Sequence, residues 1–325
     1  MFPHRAGGRV DRPSRHRPFA HAAVASVVLL GTMAAGAVYV TAQAHDSGEL
    51  VSSSAAPGAW EAAVESATAG TSAPGPARTS APAPAPTADL DALLARAVGA
   101  VPVEAGARVS VAVLDTESGE SAGYGDGAFD TASIVKVDIL AALLLRAQDA
   151  GRGLTAQERT YAAAMIRDSD NASATALWKA IGRAEGLAEA NERLGLGGTK
   201  GGDGPLWGLT RTTAADQLVL LRQVFGDESA LDEGSRAYLR GLMGDIAAGQ
   251  DWGVSAAGEA GSALKNGWLP RSATGLWVIN SVGRVSVDGR EYLVAVLSDG
   301  NSTKEKGISL VEGAARAAVS VFAGA

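Results

Sequence analysis

Ser133-Ile134-Val135-Lys136, running straight into the long apolar stretch Val137–Leu145, is the segment on which the reading turns. A hydroxyl and an amine three residues apart mean nothing in a loop. At the start of a helix the two side chains share one face, with Cβ atoms about 5–6 Å apart. An amine base then lies within reach of a hydroxyl nucleophile, and no histidine is needed. The plainer reading is a serine N-cap above a lysine whose stem lies on apolar surface and whose head reaches water. The spacing occurs a second time, at Ser262-Ala263-Leu264-Lys265, just ahead of Gly267. That segment is too short for a helix and reads as a strand, where positions i and i+3 point to opposite faces.

The rest of the composition narrows the chemistry. The chain has 325 residues, no cysteine and four histidines, His4, His16, His21 and His45, all near the N-terminus. The remainder can build neither a Ser-His-Asp triad nor a cysteine nucleophile, and neither a thiolate zinc site nor a histidine-ligated metal. No cofactor is expected. Five arginines against Asp11 give the first 44 residues a charge of +4, leaving −11 of the overall −7 on the remainder. A domain so acidic is a poor match for nucleic acid, and none is expected as a partner.

Three regions follow from the pattern. Residues 1–44 hold a basic start and then Ala22–Val40, a stretch of small and apolar residues long enough to span a bilayer once. Ala42-Gln43-Ala44 fits a small-x-small cleavage site, so membrane anchor and cleaved signal are both open. Either way the arginines predict a cytoplasmic N-terminus and an extracytoplasmic domain in the bacterial cell envelope, with this segment its sole membrane contact. Residues 45–88 read as an Ala/Pro/Ser-rich linker, stiff and unable to bury a core. Within it a short helix is expected around Trp60–Ala67, without an assigned role. Residues 89–325 read as the folded domain.

Within that domain, Asp89–Val98 is amphipathic and predicts a helix, Arg108–Leu114 a strand, and Gly119–Tyr124 its hairpin partner. A helix-rich block runs from Ser133 to about Ala248, with capping-box spacing at Thr155/Glu158 and at Thr213/Asp216. Strands return at Ser262–Trp268, Gly275–Val285 and Glu291–Leu297, and Lys304–Phe322 closes the chain as a helix. The expected fold is α/β of the α+β kind. Strands from both ends form one antiparallel sheet, the terminal helices cover it, and an all-helical subdomain is inserted, with a cleft between the lobes.

Two further clusters fall where that cleft lies. Ser169-Asp170-Asn171 interrupts a helical stretch, as three short polar residues tend to do. Lys265-Asn266-Gly267 lies on the first of the late strands. Taken singly they read as an N-cap turn and an edge-strand charge with a bulge glycine. In order, S-I-V-K, S-D-N and K-N-G resemble the motifs of the serine β-lactamase and penicillin-binding-protein superfamily, and most closely class A β-lactamases. The resemblance covers about residues 89–325. It implies that Ser133 is the nucleophile and Lys136 its base, depressed by burial and by Lys265. It implies further that Ser169 relays a proton, that Asn171 holds the substrate's amide and braces Lys136, and that Lys265 attracts a substrate carboxylate. Asn266 and Gly267 complete substrate binding, Gly267 by letting the strand approach the ligand, and the backbone N–H groups of Ser133 and Trp268 form the oxyanion hole.

The chain departs from that pattern in four ways, one being an interval from Ser133 to Ser169 that is short for class A and implies a trimmed cleft wall. Asn266 stands where the family has a hydroxyl, and Trp268 is bulky beside the oxyanion. The loop Leu194–Thr212, where class A enzymes carry the glutamate that activates the deacylating water, has only Asp203, within a glycine-rich stretch that reads as flexible. The reading implied is an exported serine hydrolase acting on β-lactams or peptidoglycan-type peptides, with slow deacylation. The alternatives are a binding or sensor module that does not turn over, and a D-alanyl-D-alanine peptidase.

Overall fold

Leu90–Gly99 forms the first helix, α1, opened by Asp89, whose carboxylate accepts from the Ala92 N–H at 3.0 Å. The computed structural model describes residues 89–322. The anchor or signal at 22–40, the cleavage site at 42–44, the linker at 45–88 and the short helix near Trp60 lie outside the described residues. No helix among the described residues is long and apolar enough to cross a membrane.

The chain continues through β1 (Arg108–Asp115), β2 (Ser121–Tyr124) and the two-residue β3 (Phe129–Asp130) into α2 (Val135–Asp149). Helices α3 (Ala156–Arg167), α4 (Asn171–Ala180) and α5 (Arg183–Leu194) follow, then β4 (Arg211–Thr212), α6 (Ala214–Phe225) and α7 (Glu233–Gly244). The last elements are β5 (Ala263–Pro270), β6 (Trp277–Val287), β7 (Arg290–Asn301) and α8 (Lys304–Ser320). The elements expected within residues 89–322 are present, within a few residues at their ends. Thr155 and Glu158 make the reciprocal capping box, and the Thr213 hydroxyl accepts from the Asp216 N–H. Each such cap contributes on the order of 1 kcal/mol.

Five strands form one sheet in the order β2-β1-β7-β6-β5, every neighbouring pair antiparallel. Strand alternation explains its two covers. Val111 and Val113 of β1, with Val294 and Val296 of β7, face Leu94 and Val98 of α1 and Val311 and Ala315 of α8. Ala112, Leu293 and Ala295 face the other way, into the core built on α2 and the inserted helices. Residues Leu293–Leu297 are buried throughout, because β7 is central and covered on both sides.

A second, two-stranded sheet is absent from the sequence reading. It pairs Phe129 with Thr212 and Asp130 with Arg211, and the Thr131 N–H donates to Thr210 O at 2.8 Å. Two residues per strand carry no periodicity to read. This short ladder joins the segment before Ser133 to the end of the 194–212 loop.

The glycine-rich loop is also differently built from the expectation. Trp178 Nε1 donates to Gly204 O at 2.8 Å, Asn191 Nδ2 to Thr199 O at 3.1 Å, and Lys200 bridges to Arg211. A Cβ on Gly202 would lie 2.1 Å from Leu206 O, and one on Gly201 2.8 Å from Ala184. These glycines serve close packing rather than flexibility.

Candidate active site

The S-I-V-K segment enters its helix through a 3-10 turn, Ala132–Ile134, that continues into α2. Ala132 has φ 47°, a conformation costly for a residue with a Cβ, immediately before Ser133. The turn is held by Asn280 of β6, whose Nδ2 donates to Asp130 O at 2.9 Å and Thr131 O at 3.0 Å. Asp130 itself is gripped by Arg271 at 2.6 Å and Arg211 at 3.4 Å. Ser133 is no side-chain cap. Among the described residues its N–H has no protein acceptor.

Lys136 is completely buried, against the alternative of a head in water. Its Nζ lies 3.0 Å from Ser133 Oγ, 3.0 Å from Ser169 Oγ, 2.7 Å from Ser169 O and 2.9 Å from Asn171 Oδ1. The last two oxygens only accept. They exhaust the two hydrogens of a neutral amine and leave its lone pair to a serine hydroxyl. The face of Trp207 lies 5.0 Å from the same nitrogen.

Ser169-Asp170-Asn171 forms the break between α3 and α4. Asp170 is the N-cap, accepting from the Ser173 N–H at 2.7 Å, and Ser169 has φ 55°, which turns its hydroxyl and its carbonyl toward Lys136. From the sheet side, Lys265 Nζ donates to Ser169 Oγ at 3.0 Å and to Asn266 O at 3.0 Å. The structure therefore brings Ser133, Lys136, Ser169, Asn171 and Lys265 together. Burial lowers Lys136 to about 7, opposed by Asp170. Burial also lowers Lys265 to about 7, and the neighbouring Lys136 ammonium pushes in the same direction.

Two strand positions differ from expectation. Asn266 faces away from Lys265 by strand alternation. Its Nδ2 donates to Gln250 O at 2.9 Å and Trp252 O at 2.8 Å, so the amide supports that loop instead of reaching for a substrate carboxylate. Gly267 makes a close approach, but to the protein itself. A Cβ there would sit 2.7 Å from Ser133 N and 2.8 Å from Ile134 N. Trp268 follows, its ring tilted against Trp252 at 5.9 Å and under Lys304 Nζ at 4.3 Å.

A pocket of about 480 Å³ opens over Ser133 and Asn171, between Trp207 on the loop and Trp268 on β5. No carboxylate lines it among the described residues. Asp203 is exposed, and Glu185, Glu189 and Glu192 stand on α5, lining other depressions. The sequence reading missed Trp207, Asn280 and Asp138. A lone asparagine within the apolar strand β6 was the available signal for Asn280; Trp207 had none.

Asp138, two residues beyond Lys136, is fully buried, and burial raises it to about 7. Gln217 Nε2 donates to its Oδ1 at 3.3 Å and to Thr212 Oγ1 at 3.1 Å. Among the described residues, Asp138 Oδ2 and Gln217 Oε1 have no partner.

A profile described as the beta-lactamase enzyme family matches residues 145–322, taking in Ser169, Asn171 and Lys265 but beginning after Ser133. Among solved structures, PBP-A is 21% identical, with a TM-score of 0.62 over 72% of this chain and 97% of its own. A PBP-A mutant, with the same figures, was solved as an acyl-enzyme complex with penicillin G. A beta-lactamase from Burkholderia phymatum is 21% identical, with a TM-score of 0.61 over 72% of this chain and all of its own. A class A beta-lactamase from Mycobacterium abscessus is 23% identical, with a TM-score of 0.60 over 72% and 99%. No curated protein is significantly similar in sequence.

Proposed function

The chain belongs to the beta-lactamase enzyme family, and from that premise we propose that it is an exported serine hydrolase in which Ser133 is acylated by β-lactams or peptidoglycan-type amides and released slowly. The observation that carries this reading is Lys136 Nζ at 3.0 Å from both serine hydroxyls, with two acceptor-only oxygens holding its hydrogens. Neutral Lys136 takes the Ser133 proton as Oγ bonds to the carbonyl carbon. The N–H groups of Ser133 and Trp268 receive the oxyanion. As the C–N bond breaks, Ser169 Oγ gives its proton to the leaving nitrogen and is refilled from Lys136 or Lys265, both at 3.0 Å. Asn171 holds the ligand amide and Lys265 its carboxylate. Asn266 and Gly267 act indirectly, by setting the strand against the Ser133 turn.

The same reading puts the domain outside the cytoplasmic membrane, delivered or held there by residues 22–40. A sensor that never turns over is favoured by the pocket's lack of a carboxylate. Intact-mass measurement of the purified protein with penicillin G, followed over time, tests these readings. The expected result is one adduct that disappears in Ser133→Ala and clears slowly. A permanent adduct selects the sensor. Absence of any adduct overturns acylation. A D-alanyl-D-alanine peptide in place of penicillin identifies the peptidase.

A further inference from the structure

Residues 245–252, the connection that leaves α7, reach from one motif of the site to another. At one end they hold the C-terminus of α3. Arg167 pairs with Asp245 at 2.8 Å, and its Nε donates to Asp245 O at 3.1 Å. The Ala247 N–H donates to Arg167 O at 2.9 Å, and Gln250 Nε2 donates to Asp168 O at 2.9 Å. The last carbonyls of a helix have no partner within it, and the connection supplies donors for two of them. At the other end, Asn266 Nδ2 donates to Gln250 O and Trp252 O.

Gln250 is therefore bonded on both sides. Its side chain holds the residue before Ser169, and its carbonyl holds the residue after Lys265. Between those two neighbours lies the 3.0 Å contact of Lys265 Nζ with Ser169 Oγ. Ser169 has φ 55°, which a residue with a Cβ keeps only where its surroundings fix it. Asn266 offers two hydrogens to two carbonyls, whereas a hydroxyl offers one. The asparagine that departs from the family's hydroxyl is thus the residue type this double contact needs.

We propose that residues 245–252 are a strap across the two motifs and that Gln250 is a positioning residue, setting Ser169 against Lys265 for proton delivery to the leaving nitrogen. The proposal rests on the acyl-enzyme reading above and adds to it a residue outside all three motifs. With the strap cut, Ser169 and Lys265 are free to separate, and a displacement of about 1 Å at a reacting contact costs on the order of 10²-fold.

The test uses Gln250→Met, which keeps the side-chain length and loses the donor, and Asn266→Thr, which restores the family's hydroxyl. Rates of Ser133 adduct formation are compared for two reagents. Penicillin G has a leaving amine that needs a proton; the p-nitrophenyl ester of phenylacetic acid has a phenolate that leaves without one. Gln250→Met is expected to slow penicillin G roughly 10–100-fold and the ester far less. Asn266→Thr is expected to slow penicillin G in the same way. Equal slowing of both reagents, unchanged rates in Gln250→Met, or a faster reaction in Asn266→Thr overturns the strap and leaves acylation standing. Side-chain NMR titration of the lysines in the free protein reads the same contact without a reagent. Burial holds Lys265 near 7, and in Gln250→Met its midpoint is expected to rise as water enters. An unmoved midpoint overturns the strap. No wild-type adduct with either reagent overturns acylation, and the titration still decides the strap.

Discussion

Lys136 faces four oxygens within 3.0 Å, and its protonation decides which of them it serves. Lys136→Ala is expected to slow Ser133 adduct formation by about 10²–10⁴, the range for loss of a positioned base. Lys136→Arg should not recover it, because a guanidinium keeps its proton. An arginine variant with the native rate would remove Lys136 from the base role. The pH profile follows from burial. A base brought down to about 7 is increasingly neutral as pH rises to that value, so acylation climbs through neutrality. Lys265, also near 7, loses its charge over the same interval, so carboxylate-bearing substrates bind less well above it. A narrow bell centred near pH 7 is expected, its two limbs belonging to the coupled pair. Lys265→Arg, which stays charged, should abolish the alkaline limb, and a bell unchanged in that variant counts against the assignment. The Ser133–Lys136 pair was legible because one helical turn fixes its geometry. The direction of Asn266 was legible in principle from strand alternation, yet motif resemblance pointed it toward substrate. Trp207 was not legible, since a loop residue's neighbour depends on how the loop folds back.

At the level of elements, β5 and the Ser133 turn touch backbone to backbone at Gly267. Gly267→Ala is expected to push the two apart, lowering the melting temperature and cutting acylation by more than the loss of stability explains. Native acylation in that variant would mean that the contact does not set the oxyanion N–H groups. Helices α2 and α6 meet through Asp138 and Gln217. Folded Asp138 keeps its proton up to about pH 7, whereas its ordinary value is 3.8. Between these values the folded state binds more protons than the unfolded, so this group's contribution to stability falls as pH rises toward 7. The lowered Lys136 and Lys265 act in a separate window, where stability rises between about 7 and 10.5. Asp138→Asn mimics the protonated form. Its unfolding free energy, measured from pH 4 to 8, should decline less than the wild-type value, with the two curves diverging most near pH 8. Parallel curves would show Asp138 ionised throughout. Regular elements were legible because their periods and caps are local, whereas the β3–β4 ladder is made only by closure over some eighty intervening residues.

For the molecule as a whole, the proposed acylation and release use different walls of one pocket. On the proposed reading, Trp207 stands against Lys136 and no carboxylate lines the cavity among the described residues to activate water for release. Penicillin hydrolysis is expected to show a burst near one equivalent and then a slow phase; steady turnover without a burst would return the chain to rapid lactamase behaviour. The layered architecture was legible because strands at both ends flanked a helical middle, and the residues missed are those whose partners lie far away in sequence. That separation has its own consequence. The central strand β7 is the last of the seven to be synthesised, yet β1 pairs along its whole length with it, Arg108 meeting Asp299 across 191 positions. A chain cut at Gly289 leaves β1 and β6 without their shared neighbour, and such a fragment is expected to show no amide protection from hydrogen exchange in either strand. Until Arg290–Asn301 emerges, the ribosome carries a polypeptide with half a sheet at each end and nothing to join them. On the proposed export route, such a polypeptide is threaded through a narrow translocation channel and acquires its shape on the far side.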